Sequence, residues 1–187
     1  MLKSLTAVSV EDFFKAAVTP AMVKSASGGY PAKKMKLRPD GKYDVTGVIY
    51  LKKDYTRVLV GKPFVINSLD ELPIKFGVVR GRLNVELPVN NVNWFPEKFD
   101  GELRFSVESG MLPEKFLELG LLDRVTDNTS ISFETSEKGK YGLPVYRDFK
   151  SKADWIDTIK AQDIYQKSSD ITGIDTSGLL ESNGKIS

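Results

Sequence analysis

The strongest constraint on this chain is a five-residue pattern, Leu/Phe-Pro-x-Lys-Phe, written more than once. It stands at Leu72-Pro73-Ile74-Lys75-Phe76, at Phe95-Pro96-Glu97-Lys98-Phe99 and at Leu112-Pro113-Glu114-Lys115-Phe116. The first two copies run on to a glycine and an alternating segment, Gly81-Arg82-Leu83-Asn84-Val85 and Gly101-Glu102-Leu103-Arg104-Phe105. A weaker copy, Pro39-Asp40-Gly41-Lys42-Tyr43, precedes Gly47-Val48-Ile49-Tyr50-Leu51. The unit has a physical logic. Proline presets a turn, lysine faces water, the following aromatic packs inward, and glycine lets the chain bend into a short strand. One such unit cannot bury its apolar face alone, so neighbouring units must stack. The glycines at 47, 81 and 101 are 34 and then 20 residues apart. That spacing is too uneven for a long regular solenoid.

The run Ser68-Leu69-Asp70-Glu71-Leu72-Pro73, then Gly81 to Val85, then Asn90-Asn91, resembles the short leucine-rich-like repeats found in many tailed-bacteriophage proteins. The resemblance covers residues 39–107. It implies a phage-encoded binding surface and carries no catalytic residues to transfer.

Strands are predicted at 45–51, 57–66, 78–87, 103–107 and 130–135, where β-branched and aromatic residues gather and several segments alternate. Asp40-Gly41, Asp100-Gly101 and Gly139-Lys140 read as turns. A helix is predicted from Ser9, a capping residue, to the stop before Pro20, with Val10, Phe13, Phe14 and Ala17 on one face. A short helix opened by Pro113 is expected within 112–125, weakened by Gly120. Another is capped by Ser151, with Asp154 three residues on and Trp155, Ile156 and Ile159 on a shared face. The expected fold class is α+β and β-rich, with a mostly antiparallel or short solenoid-like sheet, an N-terminal helical arm and a C-terminal helix. The expected division is 1–30, helical arm and flexible break; 31–150, β-rich core; 151–187, helix and polar tail.

Among the 187 residues there is no cysteine and no histidine. Disulfides, thiolate catalysis, Ser-His-Asp chemistry and histidine–metal sites are thereby excluded. No cofactor or metal is expected, and enzyme activity is disfavoured. No apolar run approaches the roughly 18–20 residues that cross a bilayer. Glu11 and Asp12 interrupt any secretory apolar core, so no membrane association and an intracellular or virion setting are expected. Net charge is +2, but residues 1–60 carry eleven basic and five acidic residues while the remainder carries sixteen and twenty, +6 against −4.

Three function classes follow. The first is a non-enzymatic interaction or structural protein, a virion component or host-factor-binding protein, with a protein partner or a second copy of itself. Its candidate partner-binding residues are Phe13, Phe14, Trp94, Phe95, Leu179 and Leu180; packing in the chain's own core competes for these apolar groups. The second is a nucleic-acid-binding module using the basic segment 24–42. There Tyr30, Lys33, Lys34, Lys36, Arg38 and Lys42 would track a phosphate backbone, although no stacking pair of aromatics accompanies them. The third is a carboxylate-based hydrolase or transferase drawing on Asp148, Asp154, Asp157 and Asp163, for which a solvated helix face is the simpler explanation. Gly139-Lys140-Tyr141-Gly142 is too short for a phosphate loop.

Overall fold

In a computed structural model of the chain, the structure describes residues 8–20, 33–55 and 63–158. Seven strands form one mixed sheet: β1 Val18–Thr19, β2 Lys34–Leu37, β3 Tyr43–Leu51, β4 Phe76–Val85, β5 Lys98–Phe105, β6 Ser130–Lys138 and β7 Pro144–Phe149. The order is β1-β3-β4-β5-β6-β7, with β2 also pairing β3 beside β1. The fold is α+β and β-rich. The four central strands β3 to β6 run parallel, while β1 and β2 at one edge and β7 at the other are antiparallel. The sheet is therefore mixed, parallel at its centre, and antiparallel pairing is confined to the borders. Only residues 86–97 connect β4 to β5, with no helix among them. That is about the minimum length for a parallel crossover.

The register explains the repeat. Gly47 pairs with Gly81, and Gly81 with Gly101, so the three glycines stack across neighbouring strands. All three hold positive φ, at 145°, 126° and 136°. A Cβ on Gly81 would lie 2.1 Å from the Gly47 carbonyl oxygen, which no side chain tolerates. Asp100-Gly101, expected as a turn, is thus mid-strand; the glycine serves strand approach instead of reversal. Inward-facing layers flank the ladder: Val45, Val79 and Phe99 on one side, then Ile49, Leu83, Leu103 and Ile131, all buried, on the other. The pentapeptides themselves are offset, since Phe76 pairs with Tyr43 whereas Phe99 pairs with Val79. The strand alignment is carried by glycine, and the proline turns only deliver the chain to it.

Three helices complete the described structure: α1 Val10–Ala17, α2 Pro113–Glu118, and α3, described over 152–158. Ser9 caps α1 by accepting from the Asp12 amide at 3.0 Å. Pro113 sits in the first turn of α2, and Gly120 ends that segment at φ 74°, where a left-handed residue closes a helix cheaply. Ser151 caps α3 through the Asp154 amide at 3.2 Å, and Asp154 accepts from the Lys150 amide at 3.0 Å. Trp155 then stacks on Phe149, with ring centroids 4.4 Å apart, and meets Phe116 at 5.2 Å and Phe133 at 5.5 Å. These aromatics close the inner face of the sheet at the β6–β7 end.

The first helix is not a projecting arm. Phe13, Ala16 and Ala17 are buried in the common core, and Phe13 meets Tyr55 edge-on at 6.4 Å. The expected strand at 57–66 falls largely outside the described residues. Its described end, 63–66, contributes only a bridge between Asp54 and Val65. Val107, expected to continue β5 inward, turns out instead. The strand ends at Phe105, and a 3₁₀ turn over Val107–Ser109 leaves Val107 39% exposed.

Candidate functional site

One face of the sheet is filled by the core. The other carries side chains in rows set by the register. Lys34, Thr46, Arg80 and Asp100 form one row; Val48, Arg82, Glu102 and Ser130 the next; Tyr50, Asn84, Arg104, Ser132 and Asp148 the third. Most of these residues are half-buried or exposed, Val48 being buried. Parallel strands are ordinarily covered on both faces. Here the parallel centre keeps one face polar and open, and no helix among the described residues packs over it.

Charges cross-link the rows. Glu102 accepts from Arg82 Nε at 3.1 Å, pairs with Arg82 Nη2 2.9 Å away and lies 3.9 Å from Arg104 Nη2. The Ser132 hydroxyl donates to Asp148. Asn84 Oδ1 is shielded from solvent with no donor among the described residues. A groove of about 370 Å³ lies over β5, β6 and β7, lined by Glu102, Arg104, Ser132, Tyr146, Asp148 and Lys150 among others. That volume is at the low end for ligand pockets. A second hollow of about 380 Å³ opens at the start of the strands, between Lys42, Lys75, Glu97 and Arg124. There Glu97 accepts from Lys42 and from Arg38 at 3.1 Å. The Lys42 bond first, and Arg38 second, hold its carboxyl below the usual range, while Glu97 pushes the Arg38 guanidinium up.

The β6–β7 hairpin extends past the sheet. Its turn presents Tyr141, 94% exposed at φ 61°, with Leu143 and Tyr146 also exposed. A bulky residue at positive φ is rare outside strained or functional positions. Exposed tyrosines are also favoured contact anchors in interfaces.

The sequence-predicted residues divide sharply. Phe13, Trp94 and Phe95 are buried in this chain's own core, and the Trp94 indole donates to the Asn91 carbonyl at 2.6 Å. A partner would not reach them without opening that core. The reason is simple: apolar rings next to a forming sheet find cover inside the chain first. Phe14 is half-buried beneath Lys33, whose ammonium lies 5.0 Å from the ring centroid and donates to the Val18 carbonyl at 2.9 Å. Leu179, Leu180 and Tyr30 lie outside the described residues, as do Ile159 and Asp163.

The basic segment does not stay together either. Lys33 ties to β1, and Arg38 and Lys42 are engaged by acids, so these three are not offered to phosphate. Lys34 and Lys36 stay exposed on β2. Two of the four carboxylates of the enzyme reading are used structurally, Asp148 by Ser132 and Asp154 as a helix cap. Among the described residues, no cluster of three or more acidic side chains could hold a metal ion. Nor is any helix among them long and apolar enough to cross a membrane.

The sequence reading missed Arg80, Arg82, Arg104 and Tyr141. Strict alternation with the buried Val79, Leu83 and Leu103 would have placed the three arginines on the outer face. No protein-family model matches this chain, and no curated protein or solved structure matches it.

Proposed function

We propose that this chain is a non-enzymatic interaction protein that receives a protein partner on the open face of its sheet. The observation that carries this reading is the parallel centre that no helix or strand among the described residues covers on its polar side. A sheet of this type is stabilised by cover on both sides, yet here one side is lined with Arg, Asn, Ser, Tyr and acidic residues in register. Such a surface presents regularly spaced donors and acceptors without a large apolar patch. It suits a partner that docks and leaves better than a permanently buried subunit. The groove over β5–β7 and the exposed tyrosines of the hairpin lie along one border of this face and extend it.

The likeness of the repeat to bacteriophage leucine-rich-like repeats supports a phage-encoded setting, in the virion or in the host cell bound to a host factor. The uneven use of the basic segment weighs against nucleic acid as the main partner, and the structural use of Asp148 and Asp154 against hydrolysis.

Site-specific photo-crosslinking in the native source tests the proposal. A photoreactive residue replacing Arg80 or Arg104 is expected to trap a discrete protein. The same residue replacing Glu118, exposed on α2, is expected not to. Equal trapping at all three positions, or none at Arg80 and Arg104, would refute the assignment of the face.

A further inference from the structure

Four cations meet at one corner of the open face. Lys34 and Arg80 share a row through Thr46; Lys36, opposite Asp44, and Lys98, opposite Val78, stand two residues along on β2 and β5, on either side of the irregularity between Tyr43 and Val45 that the Val78 amide bridges by donating to Asp44. All four are exposed. None has an ion pair or side-chain hydrogen bond among the described residues. With strands about 4.8 Å apart and alternate residues about 6.7 Å apart, they occupy a patch of roughly 14 Å by 7 Å.

Two acids stand in the same rows, and both already have partners. Asp44 accepts from the Val78 amide at 2.8 Å and lies 3.6 Å from Arg38. Asp100 accepts from the Thr126 hydroxyl at 2.7 Å. The acids are thus held into the sheet while the cations point away from it. Elsewhere on the face the pattern differs, because Arg82 is matched by Glu102. Four unmatched like charges repel one another, and that repulsion is relieved when an anion arrives.

We infer that this corner binds an acidic segment of the protein partner, a stretch of Asp or Glu laid across β2 to β5. The inference rests on the reading of the open face as the docking surface. It assigns the chemistry of what docks. A peptide is favoured over a nucleic acid for two reasons. Among the described residues the corner offers no aromatic platform for bases, since Tyr50 sits on the third row with Lys52 5.8 Å from its ring centroid, and stacking supplies much of the affinity for single strands. The interleaved Asp44 and Asp100 would also oppose a continuous phosphate backbone, whereas a peptide can place its carboxylates selectively.

Fluorescence anisotropy with the purified full chain tests this. The probes are a fluorescein-labelled peptide of alternating Glu and Ser, its Gln-for-Glu counterpart, and single-stranded oligo(dT) of matching charge. The acidic peptide is expected to bind saturably, the Gln peptide not. Affinity should fall steeply as salt rises from roughly 0.05 to 0.3 M. Arg80→Glu is expected to weaken binding about tenfold, since it turns an attraction into a repulsion at the rim. Lys140→Glu, with the same change in net charge on the hairpin turn, is expected to leave it unchanged. A thermal melt of each variant confirms folding. No binding of the acidic peptide, or equal effects of the two substitutions, would overturn the inference. Tighter binding of oligo(dT) at every salt would reassign the corner to nucleic acid and overturn it too. Crosslinking at Arg104 without binding of the acidic probe would leave the docking face standing and remove only this inference.

Discussion

Gly81→Ala is the sharpest test of how this sheet is held together. Gly81 sits at φ 126° with its neighbour's backbone where a Cβ would go, 2.1 Å from Gly47 O and 2.9 Å from Gly47 C. Two costs combine. A non-glycine residue in this region of backbone space costs about 1–3 kcal/mol. Forcing an atom into a packed site adds about 1–3 kcal/mol, and here the obstacle is backbone, which cannot rotate aside. The expected loss is about 2–6 kcal/mol, a large share of the roughly 5–15 kcal/mol that stabilises a domain. Gly110→Ala is the matched control. Its φ is 70°, and nothing lies within 4 Å of the site of its Cβ, so only the conformational cost of about 1–2 kcal/mol applies. Urea denaturation followed by circular dichroism gives both values, and thermal melts should differ by several degrees in the same order. Agreement of the two variants within about 0.5 kcal/mol would show that the strands do not approach through the glycine ladder, and the account of the repeat would fail with it.

Three further outcomes are expected. Tyr55→Phe should cost about 1–3 kcal/mol, because the phenol donates to the Tyr50 carbonyl at 2.7 Å and accepts from the Lys52 amide at 3.0 Å, leaving both groups unpaired when it is lost. Burial, above all, pushes that phenol's pKa up. The folded chain therefore keeps a proton that the unfolded chain releases near pH 10, so this stability is intact below about pH 10 and is lost as pH rises toward the folded value. Urea midpoints measured on both sides of pH 10 should fall less steeply in the Phe variant. Trp155→Ala should cost about 3–5 kcal/mol in the same assay, since it empties the junction of Phe116, Phe133 and Phe149. Glu97, held low chiefly by Lys42, contributes stability above the ordinary carboxylate range that is lost as pH falls through its lowered pKa; Glu97→Gln should flatten the acid limb of stability against pH, most clearly at low salt.

Local chemistry was legible because it depends on neighbours in sequence. Ser9, Pro113 and Ser151 marked helix starts through capping and proline geometry. Alternation at Leu103 and Phe105 and at Ile131 and Phe133 marked inward strand faces, and those side chains are buried. The glycines of the alternating segments, Gly47, Gly81 and Gly101, were also visible, although Gly101 read as a turn because its partner lies twenty residues away in Gly81.

What the sequence by itself determined is the unit: a proline turn, an inward aromatic, a glycine and a strand that cannot stand alone. Tertiary structure decided the rest. It set the parallel register that stacks Gly47, Gly81 and Gly101, because backbone approach between strands is a contact across the fold. It drew Phe13, Trp94 and Phe95 inside, because an apolar ring's exposure depends on what packs over it. It also split the basic segment. Arg38 and Lys42 met Glu97, more than fifty residues away, while Lys34 and Lys36 came to stand with Arg80 and Lys98 on the open face. Charge along a chain is a property of sequence; the ion pairs it forms and the patch it leaves unmatched are properties of the fold.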